Sequence, residues 1–370
     1  MQIHSYSSFD DLESIRHQWN QLAGDDVFNQ FEWHQCWWQA YGCNASGERE
    51  LFVVIATDDD GCVAAIAPWY RQRCATRGRV VRFLASQPTR PIRSTVLARP
   101  GTGDEALEAI GDWLESHGKQ WDAIEFDGVT TDDCRLPTLI SSLAEAGTPV
   151  YRAADNRRFR IALPRTWPKY VGRFAPATQL ELDRIVHDYV KAGRATFEVL
   201  SDPAAVYQQC CGNADDVLID QDANVDTRLC AYLQEAIGRV ADLGSLALVL
   251  KVDDKIVATQ LVLQAQQTWH RICYAIHVGD DRDVVNREVA DQLSMMMLIH
   301  MGIDRGLDQI DLVSCDPLDA LAWQGERSNF IHLQLAASTV PHAPLMGLVF
   351  SNQGTAKNWC KTGMNLVGLH

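Results

Sequence analysis

Twice along this chain, and in the same order, apolar residues gather into short β-like runs and then switch to helical spacing. LFVVIATDDDGCVAAIAPWYRQ, from Leu51, sets two β-rich runs around a short acidic turn, and LALVLKVDDKIVATQLVLQAQ, from Leu246, does the same. Such runs flanking a turn predict a β-hairpin. Each hairpin is followed by one or more strand-like runs, an amphipathic helix and a further strand. In the first half these are STVLA, DEALEAIGDWLESHG and WDAIEFDGV; in the second, TWHRICYAIHV, EVADQLSMMMLIHMGIDRG and LDQIDLVS. Ala106, Leu107, Ile110 and Leu114 line one face of the first helix; Val289, Leu293, Met296, Met297 and Ile303 line the second. Both helices stop at a glycine and a short polar link, as C-caps do. One hairpin alone would mean little. Hairpin, helix and strand in one order, twice, predict an internal duplication of an α/β unit.

Helical material precedes each hairpin. FEWHQCWWQAYG, Phe31 to Gly42, predicts a Trp-rich amphipathic helix, and PATQLELDRIVHDYVKAG and VDTRLCAYLQEAIGRVADLG predict two or more helices before the second hairpin. Between Ala153 and Pro168, in NRRFRIALPRTWP, strand-like pattern gives way to a helix start punctuated by Pro164 and Pro168. The boundary is placed there, giving domains 1–155 and 156–370.

Composition bounds the function. The chain has 370 residues, 46% of them hydrophobic and 22% charged, so two ordinary globular cores are expected rather than disorder. A formal net charge of −15 argues against a broad nucleic-acid surface, which needs clustered Lys and Arg to displace counterions. The cluster Arg71, Arg73, Arg77 and Arg79 reads as an exposed hairpin end or as a local anion site. Eleven cysteines in irregular spacing, with no zinc-ligand pattern, predict reduced thiols and no structural metal. The polar start MQIHSYSSFDD lacks a secretory pattern and no apolar run has bilayer length, so a cytoplasmic protein without membrane insertion is expected.

Helices, hairpin, strand, helix and strand form the order of the GNAT acetyltransferase fold. The stretches VFNQFEWHQCWWQAYG, IAPWYRQR, RVVRFLAS and LPRTWPKYVGRF, the second hairpin, and the passage ending in IDLVSCD resemble the CelD-like, Fem-related GNAT acetyltransferases linked to envelope polysaccharide synthesis. That resemblance, reaching to about Leu335, implies an α/β (α+β) fold of two tandem GNAT-like domains, each a mixed, mainly antiparallel sheet flanked by helices. It also implies an acyl-CoA site in the C-terminal domain, with acetyl-CoA or another acyl-CoA as donor and a small amine as acceptor. The splayed strand would be Cys273 to Val278 and the phosphate loop Asp280 to Val289, which places Ile276, Val278, Asn286, Arg287 and Val289 on the donor. Acid and base duties fall to Asp316, His277 and Tyr274.

Departures from the family pattern open a second reading. Where relatives have a stretch like Tyr-Ser-Pro-Gly, this chain has Asn286, Arg287, Glu288 and Val289, and Asp280, Asp281 and Asp283 crowd the same loop with negative charge. A solvated, helix-capping loop fits those acids as well. Where relatives have Gly-Asp-Glu-Pro-Tyr-Lys, the chain reads Cys315 to Ala320, keeping only Asp316, which before Pro317 is also a turn starter. Where relatives have a basic helix, Glu181, Asp183 and Asp188 stand instead. The readings are an N-acyltransferase, or a donor-free GNAT-like binding or scaffold protein of an envelope-polysaccharide system. A competing signal, Gly101, Gly103 and Ala106 in a GxGxxA pattern, imitates a dinucleotide site, but Asp104 and Glu105 occupy the place where a pyrophosphate would bind. Strand alternation sets Tyr274 and His277 on opposite faces unless a bulge intervenes.

Overall fold

The computed structural model describes residues 1–42, 48–75, 77–86, 92–145, 148–155, 157–200, 218–219, 227–240, 243–277, 285–313 and 315–337. Two compact units divide the chain at Asp155/Asn156, and the chain from Asn329 returns to the first. Among the described residues no helix is long and apolar enough to cross a membrane.

The first unit contains β1 (Gln2–Tyr6), α1 (Arg16–Ala23), α2 (Phe31–Trp37), β2 (Arg49–Leu51), β3 (Val53–Thr57), β4 (Val63–Ala67), β5 (Trp69–Cys74), β6 (Gly78–Phe83), β7 (Leu97–Ala98), α3 (Gly103–Ser116), β8 (Ala123–Thr130), α4 (Arg135–Glu145) and β9 (Val150–Ala154). The expected hairpin is β3 and β4, antiparallel around the acidic turn. Pro68 separates β4 from β5; a residue with no N–H interrupts a ladder, and here the chain leaves the sheet β1-β3-β4-β7 for the sheet β2-β5-β6-β8. α3 is the crossover between the parallel strands β6 and β8, and Ala106, Leu107, Ile110 and Leu114 are all buried in the first unit's core, where α3 packs on β3 and β4, as the spacing predicts. α2 buries Trp33 and Trp37, while Trp38 is half-buried and lies so close to Gly42 that a Cβ there would meet its ring at 2.2 Å.

The second unit contains β10 (Phe159–Ala162), α5 (Trp167–Val171), α6 (Pro176–Ile185), β11 (Ala195–Leu200), β12 (Leu218–Ile219), α7 (Thr227–Arg239), β13 (Gly244–Val252), β14 (Lys255–Ala265), β15 (Thr268–Ile276), α8 (Arg287–Asp304), β16 (Gln309–Leu312), α9 (Pro317–Ala322) and β17 (Glu326–Arg327). Its sheet runs β11-β13-β14-β15-β16-β10-β17. β13 and β14 form the second hairpin, and α8 is the crossover between the parallel strands β15 and β16. Met295, Met296 and Met297 are buried, filling the core under α8.

The duplication extends to strand order. After the parallel pair, each sheet holds one inserted strand and then an edge strand. The second unit inserts β10, which follows β9 in the chain, between β16 and β17. The first unit inserts β18 (Phe330–Ala336), which follows β17, between β8 and β9. The second unit's inserted strand therefore comes from the start of its own range, whereas the first unit's is supplied only after the chain has passed through the second unit. The unit that starts at Asn156 ends at Ser328, short of the 370 read from the sequence, because β18 joins the first sheet; β18 is a seven-residue run, and its local pattern does not reveal which sheet it joins.

Candidate functional site

The place to look is where the second sheet opens. β15 and β16 are in parallel register from Thr268/Gln309 to Arg271/Leu312, and there the ladder ends. Against β14, the register shifts between Leu261 and Val262, so Ile272 is an extra residue on β15. This β-bulge bends the strand at the point of divergence. It also resets the alternation. Arg271 and Tyr274 are three apart, yet their partners Val262 and Gln260 are two apart, so both side chains share the face toward α8. Gln260 confirms that face, donating from Nε2 to the Ser294 carbonyl and hydroxyl at 2.8 Å.

On this face a polar group fills the opening. Tyr274 Oη donates to Asp291 Oδ1 on α8. Arg271, buried, lies with Cζ 5.1 Å from the Tyr274 ring centre and donates from Nη1 to Met295 Sδ at 3.0 Å. Burial and then the Asp291 carboxylate push the Tyr274 phenol far above its ordinary value, so it keeps its proton and directs it at Asp291. Cys315, just past β16, is buried as well; desolvation pushes its thiol up, opposed by the neighbouring Arg271.

The sequence-predicted residues do not converge on one point. His277 is on the opposite face from Tyr274: its backbone N–H binds the Val257 carbonyl at 2.8 Å, and Nε2 lies 2.9 Å from Thr259 Oγ1. The bulge exists, but upstream of Tyr274, where it joins Arg271 to Tyr274 and leaves His277 apart. Ile276 is a core residue, in register with Ala258 on one side and Leu218 of β12 on the other. Asn286 is the N-cap of α8, its Oδ1 accepting the Val289 N–H at 2.8 Å. That bond uses one of the backbone donors a phosphate would need, and Val289 packs on the core. Arg287 is exposed in the first turn of a helix that begins two residues before the end assigned to the loop. Asp316 caps α9, its Oδ1 accepting the Leu318 N–H at 2.8 Å. Val278, Asp280, Asp281 and Asp283 lie outside the described residues. Among the described residues no group of three His, Cys, Asp or Glu side chains could hold a metal ion.

Sequence reasoning passes over Arg271, which only the bulge turns to the face of Tyr274, and over Asp291 and Cys315, which the packing of α8 and the end of β16 supply from distant sequence. It also passes over Asp311, whose position in the apolar strand QIDL is the available signal: a carboxylate there must find a partner.

Comparison with known proteins adds the fold. No family model and no curated protein matches the chain. Among solved structures, FemX matches over 94% of this chain and 100% of its own, at 10% identity and a TM-score of 0.54. The DUF2156 domain from Agrobacterium fabrum matches over 90% and 96% at 11% identity and a TM-score of 0.47, and a tandem GNAT protein from the clavulanic acid biosynthesis pathway over 92% and 99% at 10% and 0.44. The FemX likeness, with the strand order above, defines a Fem-like fold of two tandem GNAT-like domains.

Proposed function

We propose that the protein is an N-acyltransferase that moves an acetyl or related acyl group from acyl-CoA to a small amine, such as an envelope-polysaccharide precursor. The observation that supports this reading is the divergence of β15 from β16 at Arg271/Leu312, followed by the capped N-terminus of α8. A strand edge whose ladder has ended can pair with the amide groups of a pantetheine arm, and a helix N-terminus favours a pyrophosphate. Arg287, exposed in the first turn, is then the side chain that meets phosphate, with Asn286 and Val289 supporting the turn behind it. Ile276 and Val278 would lie along the arm. Of the three residues expected to share acid and base duties, Tyr274 would protonate the departing thiolate once it releases Asp291, whereas His277 is engaged with Thr259 and Asp316 with the α9 cap.

Arg287→Ala should weaken acetyl-CoA binding at least tenfold in a calorimetric titration, since a charge-assisted hydrogen bond contributes about 1.5–3 kcal/mol. Unchanged affinity would sink the phosphate role.

A second reading has its own observation. β12 pairs antiparallel with β15 at Leu218/Ile276 and Ile219/Ala275, on the edge the donor arm would use. A donor-free binding or scaffold protein would keep that edge filled by its own chain. Parent protein that takes up no acetyl-CoA at millimolar concentration would support this reading instead.

A further inference from the structure

Each unit sets a base beside an acid at the same step of its parallel strand pair. In the first unit Arg82 on β6 is in register with Glu125 on β8; in the second His270 on β15 is in register with Asp311 on β16. The preceding pairs, Val81/Ile124 and Trp269/Ile310, belong to the two helix-side cores, so both acid–base pairs lie on the other face of their sheets.

The first pair is a closed ion pair. Arg82 Nη2 donates to Glu125 Oε2 at 2.6 Å and Nη1 to Gln72 Oε1 at 2.9 Å, while Arg77 binds the remaining carboxylate oxygen. The Arg82 and Glu125 side chains are 5% and 6% exposed. A guanidinium does not give up its proton in a protein, so this pair does no proton chemistry.

In the second unit the base is an imidazole. His270 Nδ1 lies 3.2 Å from Asp311 Oδ2, and the same oxygen accepts from Arg158 Nη2 at 3.1 Å. His270 is 13% exposed, whereas Asp311 and Arg158 are 5% and 2% exposed. Desolvation pushes the Asp311 carboxyl up, but Arg158, His270 and Arg160 outweigh it and hold it below the usual carboxylate range. Charged groups face the pair from β16 (Asp311) and from β10 and its approach (Arg160, Arg158); the β14 residue in register with His270 is the apolar Leu263. One residue beyond His270 the ladder ends. A part-exposed imidazole held through Nδ1 by a buried carboxylate, beside the opening, has the geometry of a base and its orienting acid.

We propose that His270 is the general base of the second unit, with Asp311 as its positioning residue, and that it deprotonates the amine acceptor; this rests on the acyl-transfer reading above. Nε2 takes one proton from the acceptor ammonium. The freed lone pair forms the C–N bond to the thioester carbonyl carbon, and the C–S bond then breaks with its electron pair on sulfur. The nitrogen loses its second proton in that collapse; the CoA thiolate takes up one proton and the other passes to solvent.

The duplication supplies the test. His270→Arg installs the pairing of the first unit, and His270→Gln removes the base without a charge. Full-length proteins are compared for acetyl-CoA binding by calorimetry, for thermal unfolding, and for CoA thiol release with glucosamine, a diamine, an aminoacyl amide or water as acceptor. Both variants should bind acetyl-CoA and unfold as the parent does, yet lose kcat by about 100-fold or more and lose the acidic limb of the pH–rate profile, with KM unchanged. Asp311→Asn should lower kcat less and displace that limb. Either His270 variant turning over within threefold of the parent, with the same acidic limb, would overturn the base. The His270 variants thus test the base alone, whereas a parent that binds no acetyl-CoA, or binds it and transfers to none of these acceptors, overturns the acyl-transfer reading and the base with it.

Discussion

Trp37 packs its ring 5.1 Å from Tyr70 and 5.8 Å from Tyr41, deep in the first unit. Trp33, one helical turn earlier on α2, is buried with it, as the spacing of the two residues predicts. Trp37→Ala should lower stability by about 3–5 kcal/mol in urea unfolding; a loss below about 1 kcal/mol would mean the helix presents a surface. Asp311 is not legible in this way, because its partner Arg158 is 153 residues distant and no local spacing links them. Its folded pKa is depressed, so its contribution to stability is complete above the unfolded value of about 4 and is lost as pH falls through the lower folded value. Asp311→Asn should therefore flatten the acid limb of the stability curve and remove the carboxylate that faces Arg158, with a loss of about 3–5 kcal/mol near neutral pH. Parallel acid limbs for parent and variant would contradict the ionised pair.

At the scale of elements, periodicity carries far. The two hairpins, the helices α2, α3 and α8 and the strands that follow them all lie where the apolar spacing puts them. The starting point of α8 differs: the family pattern extends the loop to Val289, whereas Asn286, a residue type that caps helices, begins the helix earlier. The cap makes a simple prediction. Asn286→Ala should destabilise the second unit by about 1 kcal/mol and speed amide exchange in the first turn of α8, whereas Asn286→Ser should retain most of the stability. The bulge at Ile272 has no signature in the sequence, since one extra residue in a strand changes the facing of side chains without changing the pattern of apolar positions. Strand alternation alone does separate Tyr274 from His277, and it does so correctly because the bulge falls upstream of both.

For the whole molecule, the duplication is visible in the sequence and the return of β18 to the first sheet is not. Hairpin, helix and strand recur within continuous sequence, but the strand inserted between β8 and β9 is reached only after the chain has passed through the whole second unit. Residues 1–155 alone would leave β8 and β9 without β18 between them. That fragment should therefore lack the cooperative unfolding of the full chain; a folded, two-state fragment would show that β18 is dispensable. The central claim is that an acyl-CoA donor binds where β15 leaves β16. Hydrogen–deuterium exchange of the full-length protein with and without saturating acetyl-CoA decides it: donor binding there slows exchange from Ile272 to His277, at the end of β15, and in the first turn of α8, whereas exchange unchanged throughout, or slowed only before Asp155, would rule it out.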